Sequence, residues 1–381
     1  KGRTAMADDS IISAPADIDG AAPTTDDSGR SNDGKPKPWF KRLSLTTWIF
    51  IALILGVLAG LALQGAPEIA DTYIKPFGTI FLNLIKMIVV PLVLFSMLAG
   101  CGGCAFAFAG IANAMGESIS VTLFVTIVAF VLVVVGAICS MMHLATPKHA
   151  FAAVTHLLSF SGISVELIML GVVCALMALF AGSIVFIGNA TATLVLGMLG
   201  ALSGVVLAFV TGHGYLISSK PTWNTKKLPL AYTGTAAVAG GFLYVAIAGF
   251  AGADPAIVRA LCWILLGCVA FSAVFSVAWL RHLGADRVRQ NLALCRWGIV
   301  VCGLVIPVAA AVALAIMPIN ALFGVVAGFG LVTAFAGGIA LRVLMWVVGA
   351  GFLFFFEEAS GQSVGHFECL TIGNGAIGDI C

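Results

Sequence analysis

His143 and Glu166 are the residues of this 381-residue chain whose types and spacing best suit proton chemistry. His143 ends one apolar stretch and Glu166 opens the next, so the intervening loop returns both to the same face of a membrane. A base with an ordinary pKa of about 6.5 and a carboxylate of about 4.3 are thereby placed within reach of one ligand. Oxidising a quinol releases two electrons and two protons; its site needs acceptors for the hydroxyl hydrogens, a proton exit to water and a flat apolar wall for the ring. His143 and Glu166 could serve the first two needs, and Tyr215, Trp223 and Phe151 could help with the third. The residues alone leave a second reading open, because interfacial polar side chains also cap helices or snorkel to water.

Arg342 stands inside an apolar stretch with no acid near it in sequence, so it must face other protein and find a partner there. Three roles are open to it: pairing with Glu166, pairing with a backbone carbonyl, or touching the ligand. His149, His156, His213 and His282 fall in loops on that same face, where a solvated side chain is the ordinary state. Haem b needs two histidines on facing helices at one depth, and only His143 with His213 comes near that pattern. Of the ten cysteines, Cys139, Cys174, Cys262, Cys268 and Cys302 lie in apolar stretches, where cysteine acts as a small hydrophobe. Cys101 and Cys104 form one CxxC, which lacks the second pair that a zinc or cluster site requires. No metal is expected in this chain.

These residues have to be positioned by membrane-spanning helices. A chain that is 61% hydrophobic and 9% charged, with a mean hydropathy of +1.10, has more apolar surface than a soluble core can hide. A bilayer core about 30 Å thick takes roughly 20 apolar residues per helix. Stretches of that kind run over 45–63, 79–112, 121–142, 163–186, 190–211, 230–251, 256–280, 296–317 and 321–353, the second of them too long for one straight crossing. Only helices fit these lengths, since each pairs its own backbone amides. The expectation is an all-α integral membrane protein. Residues 1–41 are polar, without an apolar period, and read as a disordered tail; they lack the pattern of a cleavable signal.

Charge is distributed unevenly among the loops. Segments 143–162, 212–229 and 281–296 carry Lys148, Lys220, Lys226, Lys227, Arg281, Arg287, Arg289 and Arg296, whereas 113–120, 187–189, 252–255 and 318–320 carry neither Lys nor Arg. By charge alone the basic face is cytoplasmic. Counting crossings from a cytoplasmic Lys35, Lys37, Lys41 and Arg42 places it outside. The net charge of +2 gives no footing for nucleic acid.

Two family resemblances meet at residues 86–104. "LTTWIFIALILGVLAGLALQ" (45–64) and "YIKPFGTIFLNLIKMIVVPLVLFSMLAG" (73–100) resemble the first two membrane helices of the dicarboxylate/amino acid:cation symporters, the glutamate-transporter family, most specifically at Lys75, Pro76, Gly78, Phe81, Leu84, Lys86, Met87 and Pro91. That resemblance implies cation-coupled uptake of acidic substrates by a homotrimer. The hairpins and polar last helix that hold substrate in that family have no counterpart in this sequence. "PLVLFSMLAGCGGCAFAFAGIANAMG" (91–116), "SMMHLATPKHAF" (140–151), "SVELIMLG" (164–171), "GYLISSKPTW" (214–223) and "GGIALRVLMW" (337–346) resemble, in order, the eight-helix membrane anchor subunit of dimethyl sulfoxide reductases.

The second resemblance implies a menaquinol site built on His143 and Glu166, with Tyr215, Trp223 and Arg342 beside it. It also implies no haem or metal in this chain, and electrons passed to an iron–sulfur subunit and a molybdopterin catalytic subunit. A polysulfide reductase-type anchor has the same role with another acceptor. The chain is therefore read as a chimera with a junction near Pro91: a tail over 1–41, a transporter-like hairpin over 42–90, an eight-helix anchor domain over 91–356 preceded by that extra hairpin or helix, and a C-terminal tail over 357–381. The expected location is the bacterial cytoplasmic membrane, crossed several times, with lipid as the surrounding partner.

Overall fold

The computed structural model describes residues 47, 51–52, 54–56, 58, 72–73, 75–142, 162–218 and 220–349. The expected tails, His143, Phe151, His149 and His156 lie outside the described residues. The chain divides into two units, Lys1–Lys75 and Pro76–Cys381. The first is helical at residues 51–52 and 54–56. The second holds α1 (Lys75–Ala114), α2 (Ile119–Met142), α3 (Gly162–Gly182, prolonged by a π-turn over Ser183–Ile187), α4 (Ala190–His213), α5 (Lys227–Ala251), α6 (Pro255–Leu283), the short α7 (Ala285–Gln290), a π-helical segment (Leu294–Val305) running into α8 (Ile306–Ile316), and α9 (Ala321–Gly349).

Eight stretches among the described residues are long and apolar enough to cross a membrane, from Leu92–Ala114 to Ala321–Gly349. The chain is an all-α, multi-pass membrane protein. Phe124, Leu202, Val274, Leu322, Phe329 and Val332 point outward and are more than half exposed, an apolar exterior suited to lipid and unsuited to water. The expected long stretch 79–112 is one unbroken 40-residue helix, α1. It passes through Pro91, so the expected junction leaves no break in the backbone.

Short turns with explicit caps join the helices at one end of the bundle. Asn189 accepts from the amides of Thr191 (3.0 Å) and Ala192 (3.2 Å) at the start of α4. Asp254 accepts from Ala256 (2.8 Å) at the start of α6, where Pro255 follows it, a proline position that costs no helical hydrogen bond. Glu117 Oε1 accepts from Ser118 N (2.9 Å) and Asp254 N (3.2 Å), which ties the α1–α2 turn to the α5–α6 turn. Arg259 donates to the carbonyls of Leu314, Ala315 and Met317 at 2.8–2.9 Å, satisfying the end of α8. Arg259 is the only lysine or arginine at this end among the described residues; Lys220, Lys226, Lys227, Arg281, Arg287, Arg289 and Arg296 all lie at the other. An even number of crossings returns both ends of the bundle to that basic side.

Helix α5 is the hub, packed against α4, α6 and α9 and buried along most of its length. A close seam lies between α1 and α4, where Gly103 meets Gly204 and Gly110 meets Gly197 backbone to backbone. Lipid tails are as apolar as leucine, so closeness of this kind supplies the attraction that the hydrophobic effect provides in water. A Cβ on Gly204 would strike the Gly103 carbonyl, whereas Gly171 on α3 has nothing within 4 Å. Gly204→Ala is expected to lose about 1–3 kcal/mol to overpacking, while Gly171→Ala holds or gains stability through helix propensity. Denaturation of the two variants in detergent checks the contrast.

Candidate functional site

The basic end of the bundle gathers aromatic and ionisable side chains from four elements. Glu166, partly buried, sits in the first turns of α3. Tyr215 and Trp223 come from the α4–α5 loop, Tyr232 from the second turn of α5, and Arg342 and Trp346 from the last turns of α9, one turn apart. The Tyr215 ring lies 6.1 Å from Trp223, 5.9 Å from Tyr232 and 5.9 Å from Trp346, and Trp223 lies 5.4 Å from Trp346. The edge-to-face pairs among them have the geometry that aromatic quadrupoles favour.

The loop is strapped onto α9. Trp223 Nε1 donates to the Met345 carbonyl at 2.9 Å and Lys220 Nζ to the Gly349 carbonyl at 3.1 Å. Both acceptors belong to the last described turn of α9. Gly349 is required here, since any Cβ at that position would strike the Trp223 indole.

Arg342 is 1% exposed. Its guanidinium donates to Thr235 Oγ1 (3.2 Å) and to the Gly338 carbonyl (3.0 Å), and it stands 4.2 Å over the Tyr232 ring. Of the partners open to it in the sequence, the backbone carbonyl is thus one that it takes. Its Nε, and Trp346 Nε1 one turn on, are buried without a hydrogen-bond partner.

Glu166 meets Thr211 of α4 through a side-chain hydrogen bond, and the Thr211 hydroxyl also donates to the Leu207 carbonyl at 2.9 Å. Burial holds the Tyr215 phenol well above its ordinary range; the charge of Glu166 adds to this and Arg342 opposes it.

Glu166, Tyr215, Trp223 and Arg342, all singled out from sequence, therefore share one end of the bundle. Tyr232, Trp346, Thr211 and Thr235 complete the cluster and were not singled out. Trp346 closes the "GGIALRVLMW" motif, one turn beyond Arg342, and that spacing was the available signal. The exposed His213 lies 6.0 Å from the Phe209 ring, and His282 meets the Pro221 carbonyl at 3.3 Å, so each has a local contact. Cys101 and Cys104 are buried free thiols on α1, against α5 at Gly240.

Comparison with known proteins bears on the N-terminal part of the chain. The sodium:dicarboxylate symporter family matches residues 45–148, a stretch that crosses Pro91 and takes in α1 and α2. The proton/sodium-glutamate symport protein of Geobacillus stearothermophilus is 48% identical over 60 residues, and that of Bacillus subtilis (strain 168) 47% over 62 residues. Each alignment covers 16% of this chain and 14% of the relative. The chain thus spans about one seventh of the length of the curated relatives it matches. The N-terminal resemblance read from sequence is therefore supported, and the family match extends beyond the roughly 60 residues first assigned to it. Relatives in bacteria and eight potential crossings agree with a multi-pass protein of the cytoplasmic membrane.

Trp223→Phe keeps an aromatic ring but removes the indole donor to the Met345 carbonyl. The expected cost is about 0.5–1.5 kcal/mol, with faster amide hydrogen exchange confined to the last turns of α9. Trp263→Phe, at an outward-facing position 58% exposed, should leave that exchange unchanged.

Proposed function

We propose that this chain is a cation-coupled transport protein of the dicarboxylate and amino acid symporter type. The match of residues 45–148 carries the reading, because it continues without interruption into the first two helices of the bundle. The relatives are named for the symport of glutamate with protons or sodium. Since the chain spans about one seventh of their length, an acidic substrate and a coupling cation enter as parts of the proposal. The basic-end cluster offers a place for the carboxylate. Arg342 is a buried cation with a free Nε, and Trp346 Nε1 is a second free donor on the same helix. A bound carboxylate would satisfy such donors and offset the desolvated charge.

Geometry at the same end favours a second reading, a quinol-oxidising anchor. Glu166 lies beside Thr211, and the rings of Tyr215, Trp223 and Trp346 stand within about 6 Å of one another. In this reading menaquinol gives its two protons to Glu166 and His143. Its two electrons go to an iron–sulfur subunit and from there to a molybdopterin subunit, which reduces dimethyl sulfoxide or another acceptor such as polysulfide. Arg342 would then hold the quinone oxygen.

Proteoliposomes containing the full chain separate the two. Transport requires uptake of aspartate, glutamate or succinate driven by a sodium or proton gradient. Arg342→Met should lower that uptake about tenfold or more, as expected when a charged hydrogen bond worth roughly 1.5–3 kcal/mol is lost. An anchor would show no uptake, and membranes holding it with its partners would oxidise menaquinol in a manner abolished by Glu166→Gln. Absence of both activities would overturn both readings.

A further inference from the structure

The stretch from Arg281 to Trp297 links α6 to the next crossing and carries four arginines, no lysine and a single acid, Asp286. Arg281, Arg287, Arg289 and Arg296 are all exposed. Among the described residues none of the four forms an ion pair, with Asp286 or with any other acid. The other described basic loop, between α4 and α5, uses lysine instead: Lys220, which is engaged by the Gly349 carbonyl, then Lys226 and Lys227.

The arginine loop is fixed to the bundle. Leu283 and Cys295, near its two ends, belong to the buried cluster around Trp279, and Val288 and Leu294 pack against that cluster. Val288 N donates to the Gly284 carbonyl (3.3 Å), Asn291 N and Nδ2 both donate to the Arg287 carbonyl (3.3 and 3.1 Å), and Cys295 N donates to the Asn291 carbonyl (3.0 Å). At 100° per residue, Arg287 and Arg289 leave α7 on either side of the inward Val288. Arg296 comes from the first turn of the crossing Leu294–Ile316, with its guanidinium 5.5 Å from the centre of the Trp297 ring. Trp297 is 60% exposed and Leu292 53% exposed.

Exposed leucine and tryptophan at the end of a crossing belong to the layer where acyl chains meet headgroups. The arginines stand at that level, where the nearest anions are lipid phosphates. A guanidinium fork meets a phosphate through two parallel hydrogen bonds, which an ammonium does not. The stretch has a formal charge of +3, four arginines against one aspartate with His282 neutral, so a headgroup that brings its own cation is disfavoured and a net anionic one is drawn in. We propose that this loop binds the headgroup of an anionic phospholipid. Its phosphate meets the arginines, and its acyl chains run down beside Leu292 and Trp297. An acidic protein docking from water would meet the same arginines but would leave those two apolar side chains uncovered. The site lies on exposed surface and is independent of whether the protein transports or oxidises.

Native mass spectrometry of the full chain, released from micelles holding equal amounts of phosphatidylglycerol and phosphatidylcholine, tests it. The unmodified chain should retain phosphatidylglycerol several-fold over phosphatidylcholine. Arg287→Gln/Arg289→Gln should lower that preference several-fold. Lys226→Gln/Lys227→Gln removes the same charge at the same end and should leave the preference in place. Equal retention of the two lipids by the unmodified chain would overturn the proposal. So would a preference that survives in the arginine variant, or one that falls equally in both variants, which marks only the general field of the basic end. Should the arginine variant fail to fold, a photoreactive phosphatidylglycerol decides on the unmodified chain: labelling of peptides from 281–297 ahead of those from 218–229 supports the site, and the reverse order overturns it.

Discussion

The bundle depends on backbones meeting closely at glycine. In water, burying leucine against leucine drives helices together; in a bilayer the lipid offers the same apolar contact, and that drive is gone. What remains is dispersion between closely fitted surfaces, which falls away within an ångström of separation. Gly103 on Gly204 and Gly110 on Gly197 bring α1 and α4 to that distance, and Gly337 on Gly303 does the same for α9 and the π-helical segment. Helix α5 adds Gly234 against α6, Gly240 against α1 and Gly241 between Phe108 and Leu265. It can therefore touch neighbours on several sides and act as the hub.

Once the helices are this close, the polar groups between them have few choices. Most hydroxyls turn back on their own helix, and the helix ends are satisfied by side chains sent from elsewhere. The two ends of the bundle do this differently. At the sparsely charged end, Asn189, Asp254, Glu117 and Arg259 form compact caps within short turns. At the basic end the α4–α5 loop reaches across to α9 through Trp223 and Lys220, and the same strap brings Tyr215 against Tyr232 and Trp346. The aromatic cluster and the strap on α9 are thus one construction, which is why the candidate site lies there and not at the opposite end.

The sequence made the helices legible because hydropathy over about 20 residues is a local property. The stretches expected at 121–142, 190–211, 230–251 and 256–280 each fall within the helices found, to within a few residues at either end. The expected junction at Pro91 rested on two resemblances that meet there; α1 runs through this proline, as membrane helices tolerate, and the symporter family match continues past it. The candidate site was legible in part. Glu166, Tyr215, Trp223 and Arg342 could be assigned to one face by counting crossings. Thr211, Thr235 and Tyr232 could not, since each matters only through a partner on another helix.

The two resemblances can now be weighed by what each kind of match responds to. A sequence match through a membrane helix responds largely to apolar length, to glycine spacing and to the few polar residues at the ends. Residues 91–116 satisfy the first two for any tightly packed helix, and the tight seam of α1 with α4 needs Gly103 and Gly110 whatever the protein does. Lys75, Pro76, Gly78, Lys86 and Pro91 are different, because bundle packing from Leu92 onward does not require them. Identity of 48% over 60 residues to a glutamate symport protein is therefore informative in proportion to those residues. In the bundle, the discriminating positions are the polar ones: Glu166 with Thr211, and Arg342 with its free Nε. The two proposed readings ask different ligands of Arg342, a carboxylate for transport and a quinone oxygen for electron transfer, and the apolar framework favours neither.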